Sequence, residues 1–190
     1  MSQPGPTDLL TAAIATATST LARVEPAALG RPTPCSEWTL RDLLQHMAGR
    51  AVLSERAARG IAVTTFPETS ADLLGGRPAE TLTDLLAESA AAWQRADADP
   101  SAPCTTPIGV MPGSGLVTFQ AQDVFVHTWD LGQAIGHHPG FDPQLTATML
   151  ALHKQTITED FRGTLFAPAI PVANDATDLD KLVAFLGRRP

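Results

Sequence analysis

Residues 116–136 read LVTFQAQDVFVHTWDLGQAIG, and this stretch decides the fold class. It is long, largely apolar and free of proline, so it predicts a helix from about Leu116 to Ile135. Gly136 follows the last turn, where glycine commonly ends a helix because it adopts the left-handed conformation without strain. This helix is the fourth of five long helical segments that the sequence predicts.

The other segments with helical spacing of apolar residues are about 7–29, 39–60, 81–96 and 142–161, with a final amphipathic turn or two at 179–186. Pro26 is expected to limit the far end of the first segment. Turn-forming residues crowd 97–115, which could hold a short hairpin, and 170–172 could form a short strand. No fixed-period repeat or break in composition divides the chain. We therefore expect one domain of residues 1–190, an all-α, up-and-down helical bundle with proline-rich loops.

The composition of the chain argues against a polyanion-binding surface. Its 190 residues include 13 Lys and Arg against 20 Asp and Glu, which gives a formal net charge of -7. Binding to a phosphate backbone needs clustered cationic side chains, and the sequence has no such cluster. Nucleic acid is therefore not an expected partner.

Cysteine usage and the lack of long apolar runs predict the compartment. Cys35 and Cys104 lie far apart and form neither a CxxC motif nor a disulfide framework. No apolar run approaches the roughly 18 residues that a membrane span requires, and the first residues lack the basic start of a signal peptide. We expect a cytoplasmic protein with no membrane partner.

Asp123 and His127 are the first candidates for chemistry. They are four residues apart on one helix, so they lie on the same face and could chelate one cation. The same spacing also suits a simple surface hydrogen bond. His46 lies in the second helix and would join the pair only if the two helices are neighbours. Its other interpretation is a core histidine bonded to a backbone or carboxylate partner.

Two blocks of sequence and the tail resemble one protein family. Residues 33–46 read TPCSEWTLRDLLQH, residues 123–136 read DVFVHTWDLGQAIG, and residues 185–190 read FLGRRP. The first two blocks resemble those of the mycothiol-dependent maleylpyruvate isomerase family, within the DinB-like superfamily. The tail resembles the ending of a single-domain subgroup of that family. The resemblance covers nearly the whole chain.

The resemblance implies a DinB-like four-helix bundle that binds one divalent metal through His46, Asp123 and His127. The metal is expected to be Zn²⁺, with Ni²⁺ and Fe²⁺ as other candidates. The family's acid is commonly Glu, whereas Asp123 is one methylene shorter. Three protein ligands leave a position open, which in the family is thought to take the thiol of mycothiol as cosubstrate. A thiolate made available in this way could add to a small electrophile.

The resemblance leaves the reaction open. The founding isomerases carry a further C-terminal domain that contributes to substrate recognition, whereas this sequence ends at Pro190. We therefore expect a thiol S-transferase or an isomerase of unspecified substrate, either a monomer or a homodimer. The alternative is a non-catalytic metal-binding bundle with a structural or sensing role, whose site is closed by a further ligand such as Cys35.

Three other side chains near these blocks have two interpretations each. Asp130 could accept a hydrogen bond from a ligating histidine, but we favour a structural role, in which it pairs with Arg41 or Arg50 or fixes a loop. Trp38 and Trp129 could wall a pocket, but we expect them to pack in the core.

Cys35 and Arg50 are less informative. Cys35 could be a nucleophile or a fourth ligand near a helix start, but we expect an inert thiol. Arg50, one turn after His46, could face an anionic ligand, but we expect it to be solvated or weakly paired.

Overall fold

The computed structural model of the chain describes residues 4–158, 162 and 166–190. This described part is mostly helical, with six α-helices and one two-stranded sheet. The helices are α1 (Pro6–Leu21), α2 (Leu40–Ala58), α3 (Pro78–Gln94), α4 (Gly113–Ile135), α5 (Pro143–Thr156) and α6 (Asp178–Phe185). The strands are β1 (Pro103–Thr106) and β2 (Gly109–Pro112), and short 3-10 helices cover Pro26–Ala28 and Pro67–Thr69.

The chain divides into two compact units, Met1–Pro139 and Gly140–Pro190. The prediction of one domain over residues 1–190 stays a prediction. Among the described helices, none is long and apolar enough to cross a membrane.

Helices α1 to α4 build the core of the first unit. Helix α1 packs against α3 and α4, and α2 packs against the same two helices. The spacing that predicted these helices also gives each one an apolar face, and burial of those faces stabilises the unit. Fully buried members of this core include Leu10, Ala13, Ala17, Leu43, Leu44, Met47, Leu82, Leu86, Val117, Ala121, Val124 and Phe125.

Helix α2 begins and helix α4 ends where the sequence predicts, whereas α4 begins at Gly113, before the predicted start near Leu116. Thr39 caps α2, because its side chain accepts from the Asp42 backbone N–H while the Asp42 carboxylate accepts from the Thr39 N–H. Gly136 ends α4 in the left-handed conformation, with φ of 70°. The hairpin also forms, with antiparallel β1 and β2 joined at a turn where Gly109 has φ of 123°.

The first helix is shorter than predicted. Helix α1 ends at Leu21, and only Pro26–Ala28 continues as a separate 3-10 turn. Pro26 has no backbone N–H, and a proline disfavours helical conformation at the residue before it. The helix thus ends before Pro26, the residue expected to limit it, and the rest of the periodic segment over 7–29 does not continue α1.

The second unit contains α5 and α6, which pack against each other. Helix α5 ends at Thr156, and residues 159–161 of its predicted extension lie outside the described residues. The strand predicted at 170–172 does not form. Among the described residues, the only backbone hydrogen bond from this stretch to another segment is donated by the Ile170 N–H to the carbonyl oxygen of Ala184.

Candidate metal centre

His46, Asp123 and His127 come together between α2 and α4. The Oδ1 atom of Asp123 lies 3.1 Å from Nε2 of His46 and 3.6 Å from Nε2 of His127. The two imidazole rings meet edge to face with centroids 4.9 Å apart. One ligand atom from each of the three side chains lies within 4.8 Å of the other two.

Backbone geometry accounts for this arrangement. Asp123 and His127 are one turn apart on α4, so both side chains lie on the face that packs against α2. His46 is on α2, whose register is fixed by the capping box at Thr39. The structure thus makes α2 and α4 neighbours, which the sequence could propose but not establish.

Asp130 contacts the His127 ring at Nδ1, the nitrogen that does not face Asp123. The Nδ1–H of His127 donates to Oδ2 of Asp130 over 2.9 Å, and the Asp130 side chain is completely buried. This bond is the alternative to the favoured structural role, and neither of the arginines proposed as partners of Asp130 pairs with it. Arg41 instead pairs with Asp72, and Arg50 pairs with Glu68.

Electrostatics at the site follow from burial and from the close pairing of opposite charges. Burial would raise the pKa of Asp123, but His46, His127 and Arg50 together hold it below its ordinary value. Burial would lower the pKa of His127, but the carboxylates of Asp123 and Asp130 raise it well above its ordinary value. The metal-free site therefore favours an imidazolium at His127 beside an ionised carboxylate.

One oxygen of Asp123 is buried and has no hydrogen-bond partner among the described residues. This atom is Oδ2, while Oδ1 faces the two histidines. A buried carboxylate oxygen without a partner costs free energy unless a cation or a donor satisfies it. Two imidazoles and a carboxylate are a donor set that zinc and similar divalent cations accept, so the side chains present fit such an ion.

Trp38 covers one side of the site. Its ring lies 4.7 Å from the His46 ring and 5.9 Å from the His127 ring, measured between centroids. The expectation that it packs only in the core is wrong, because it contacts both histidines and is partly exposed. Trp129 is 6% exposed and packs in the core as expected.

Cys35 lies near the site but in a different group of ligand atoms. Its Sγ is 3.5 Å from Oδ2 of Asp130, and it is half-buried. The group that includes Cys35 contains His127 and Asp130, and neither His46 nor Asp123 belongs to it.

Glu68 is a residue near the site that the sequence did not reveal. It belongs to the 3-10 turn Pro67–Thr69, and its Oε1 lies 3.9 Å from Nδ1 of His46. Arg50 donates to the same oxygen over 2.7 Å and stacks on the Phe66 ring. Segment 61–78 carries no motif, so only its packing against α2 could identify Glu68.

Comparison with known proteins places the chain in a family. The family model described as "Mycothiol maleylpyruvate isomerase N-terminal domain" matches residues 10–132, which is more than half of the chain and includes all three candidate ligands. The chain belongs to this family.

Its similar curated relatives are two uncharacterized proteins of Mycobacterium tuberculosis, from strains CDC 1551 and H37Rv. Each is 34% identical over 172 residues, which cover 88% of this chain and 89% of the relative. Their names give no activity.

Two solved structures share the fold. The crystal structure of the mycothiol-dependent maleylpyruvate isomerase matches with a TM-score of 0.53 at 19% identity, covering 81% of this chain and 72% of that chain. A variant of the same enzyme, in which a histidine is replaced by alanine, matches with a TM-score of 0.50 over the same shares. At this identity the likeness shows a similar fold and does not transfer the substrate.

Proposed function

We propose that this family member binds one divalent cation through Nε2 of His46, the carboxylate of Asp123 and Nε2 of His127. The observation that carries the proposal is the convergence of these three ligand atoms within 4.8 Å, around a carboxylate whose Oδ2 has no partner among the described residues. Zinc suits this donor set best, and Ni²⁺ and Fe²⁺ are the other candidates.

The packing of helices α1 to α4 supports the bundle architecture that the resemblance implies. Helices α1 and α2 each pack against both α3 and α4. We propose that this arrangement is the up-and-down four-helix bundle of DinB-like proteins, with the cation between α2 and α4. Metal and cofactor sites in helical bundles are commonly built from side chains on facing helices.

The second part of the proposal is that the cation activates a low-molecular-weight thiol, with mycothiol as cosubstrate. A divalent cation with an open position lowers the pKa of a thiol bound to it and so supplies a thiolate at neutral pH. The family membership supports this part, and so does the mycothiol-dependent enzyme with a similar fold. The electrophile is a small molecule of unspecified class.

Asp130 and Trp38 orient and cover the two histidines of the proposed site. Asp130 accepts the Nδ1–H of His127, so that the proton on Nε2, which faces Asp123, is the one that a cation would displace to reach the Nε2 lone pair. Trp38 lies against both rings, and only 18% of the His46 side chain and 11% of the His127 side chain are exposed. A site with little water strengthens the interaction between the carboxylate and a cation.

Two reaction types fit a thiol and an electrophile. In S-transfer a carbon–sulfur bond forms, the bond to a leaving group breaks, and the thiol proton is released with that group. In isomerisation the sulfur adds to one carbon of a double bond and is expelled after rotation, so the thiol is recovered unchanged. The product and the thiol balance distinguish the two.

A non-catalytic metal-binding role is the alternative. It would be favoured by a fourth protein ligand that closes the site, for which Cys35 was the candidate. Cys35 groups with His127 and Asp130 but not with the other two candidate ligands. The geometry therefore favours a site with an open position, and the enzyme is the better supported proposal.

The test combines zinc-loaded protein with mycothiol and either an activated aromatic chloride or a cis-configured conjugated olefinic acid. We expect zinc-dependent formation of a thioether or of the trans isomer, followed by mass spectrometry and NMR. His46→Ala should abolish it, whereas His138→Ala, at an exposed histidine, should not. Turnover that is equal in the His46→Ala variant or in zinc-free protein would contradict the proposal.

A further inference from the structure

Glu68 lies on the side of His46 that faces away from Asp123. Its side chain is only 11% exposed, and its Oε1 is 3.9 Å from Nδ1 of His46. Its other oxygen, Oε2, is buried without a hydrogen-bond partner among the described residues. A carboxylate this poorly hydrated needs a local reason for its position.

Helix α2 is shaped to hold Glu68 in this place. A side chain at Gly49 would overlap the Glu68 carboxylate, so the glycine leaves the space that the carboxylate occupies. Arg50, the next residue, donates to Oε1 over 2.7 Å. One turn earlier, Gln45 donates to the carbonyl oxygens of Glu68 and Ala71. Residues of the helix that carries His46 therefore fix both the backbone and the carboxylate of Glu68.

The two candidate histidine ligands then have matching surroundings. His127 has Asp130 on its Nδ1 side at 2.9 Å, and His46 has Glu68 on its Nδ1 side at 3.9 Å. Both Nε2 atoms face Asp123. Histidines that ligate metals almost always donate their other ring N–H to a carboxylate, a carbonyl or water, which fixes the tautomer and the ring orientation.

We infer that Glu68 is the positioning residue of His46, holding the ring proton on Nδ1 so that Nε2 is free for the cation. This inference rests on the proposed function, since it concerns a ligand of the proposed site. At 3.9 Å the contact is longer than a direct hydrogen bond, so the inference includes a small approach of Oε1 to the Nδ1–H when a cation holds the ring. Arg50 serves to hold the carboxylate and takes no part in binding the cation.

The experiment compares Glu68→Ala with Arg50→Gln, because both variants break the same ion pair but only the first removes the carboxylate. Zinc affinity is measured by competition with a chromophoric chelator, with circular dichroism to verify folding. Glu68→Ala should bind zinc about 10- to 100-fold more weakly, the usual effect of losing such a partner. Glu68→Gln should recover most of the affinity because its amide oxygen still accepts. Arg50→Gln should weaken zinc binding much less than Glu68→Ala, because the carboxylate remains and Gln45 still donates to the backbone of the turn.

A spectroscopic readout separates positioning from a general loosening of the turn. In zinc-loaded protein labelled with ¹⁵N-histidine, the Nδ1–H of His46 should give a downfield, slowly exchanging signal. That signal should be lost in Glu68→Ala and kept in Arg50→Gln.

The outcomes are distinct. Zinc binding by wild type and Glu68→Ala with equal affinity would overturn this inference alone, and so would an equal weakening in Glu68→Ala and Arg50→Gln. A wild-type protein that takes up no zinc would overturn the proposed function and this inference with it.

Discussion

His127 donates its Nδ1–H to Oδ2 of Asp130 over 2.9 Å, and the Asp130 side chain has no exposed surface. The two residues are three apart on α4, so the helix itself sets their distance. This bond orients the ring that presents Nε2 to Asp123. The bond therefore selects Nδ1 as the nitrogen of His127 that keeps its proton when Nε2 binds a cation.

Substitution of Asp130 by Asn should weaken zinc binding. The amide keeps the shape of the side chain but can donate to Nδ1, which would favour the tautomer with its proton on Nε2. We expect a loss of about 10- to 100-fold in zinc affinity, measured by chelator competition. The matched control is Asp72→Asn, at an exposed acid paired with Arg41, which should leave the affinity unchanged. Wild-type affinity in Asp130→Asn would show that the bond does not control the ring.

The stability of the metal-free protein should fall as the pH rises above neutral. The carboxylates of Asp123 and Asp130 raise the pKa of His127 above its ordinary value, against the effect of burial. Between about pH 6.5, the ordinary value, and the raised value, the folded state binds more protons at this site than the unfolded state. The stabilisation is complete below that window and is lost as the pH rises through it. Denaturant unfolding in the presence of a chelator, at pH 6 to 10, measures this trend.

The control for this trend is His127→Gln, which removes the titrating group. The variant should show a flatter dependence of the free energy of unfolding on pH over the same range. Identical slopes in wild type and variant would mean that His127 does not carry the effect.

Zinc uptake should release protons. A cation that binds Nε2 of His127 has to displace the Nε2 proton, which the carboxylates of Asp123 and Asp130 stabilise by raising the pKa of the ring. The apparent zinc affinity should therefore increase with pH. Calorimetric titrations in two buffers with different enthalpies of ionisation give the number of protons released. A heat of binding that is independent of the buffer would contradict this prediction.

Gly49→Ala should disturb both stability and zinc binding. A methyl group at this position would overlap the Glu68 carboxylate and push the turn away from α2. We expect a loss of about 1–3 kcal/mol in the free energy of unfolding, together with weaker zinc binding. Gly115→Ala is the helical control, because its side chain would enter open space and should stabilise α4 by up to about 1 kcal/mol. An unchanged free energy of unfolding in Gly49→Ala would show that the turn containing Glu68 can move away from α2 without cost.

Trp38 should report zinc binding by fluorescence. It is the tryptophan that lies against both candidate histidine ligands, at 4.7 and 5.9 Å between ring centroids. Zinc should change the emission of wild type but not that of Trp38→Phe. Trp93→Phe, whose native indole N–H donates to Ser54 in the core, should keep the zinc response. A response that survives in Trp38→Phe would place the ion elsewhere.

The parts of the fold that the sequence predicted were fixed by local chemistry. The capping residues Thr39 and Asp42 mark the start of α2, and Gly136 marks the end of α4. The boundary of α1 was missed because its apolar spacing continues beyond Leu21, while the conformational limits around Pro26 end the helix.

The candidate site was predictable in part for the same reason. Asp123 and His127 are neighbours through helical spacing alone, and the family resemblance added His46. Glu68 was missed because its position depends on a long-range contact between a loop and α2. The role of Asp130 was open, because its spacing from His127 allowed a hydrogen bond but did not exclude pairing with an arginine. Only the tertiary structure shows that Arg41 pairs with Asp72 and that Arg50 pairs with Glu68.

The most direct test of the account is the metal content of protein purified without a metal-affinity tag and reconstituted with zinc. Elemental analysis should give about one equivalent of tightly held zinc per chain in wild type and in His138→Ala. His127→Ala and Asp123→Ala should hold far less while remaining folded. Wild-type protein without zinc after reconstitution, or variants that retain a full equivalent, would contradict the assignment of His46, Asp123 and His127 as the ligands.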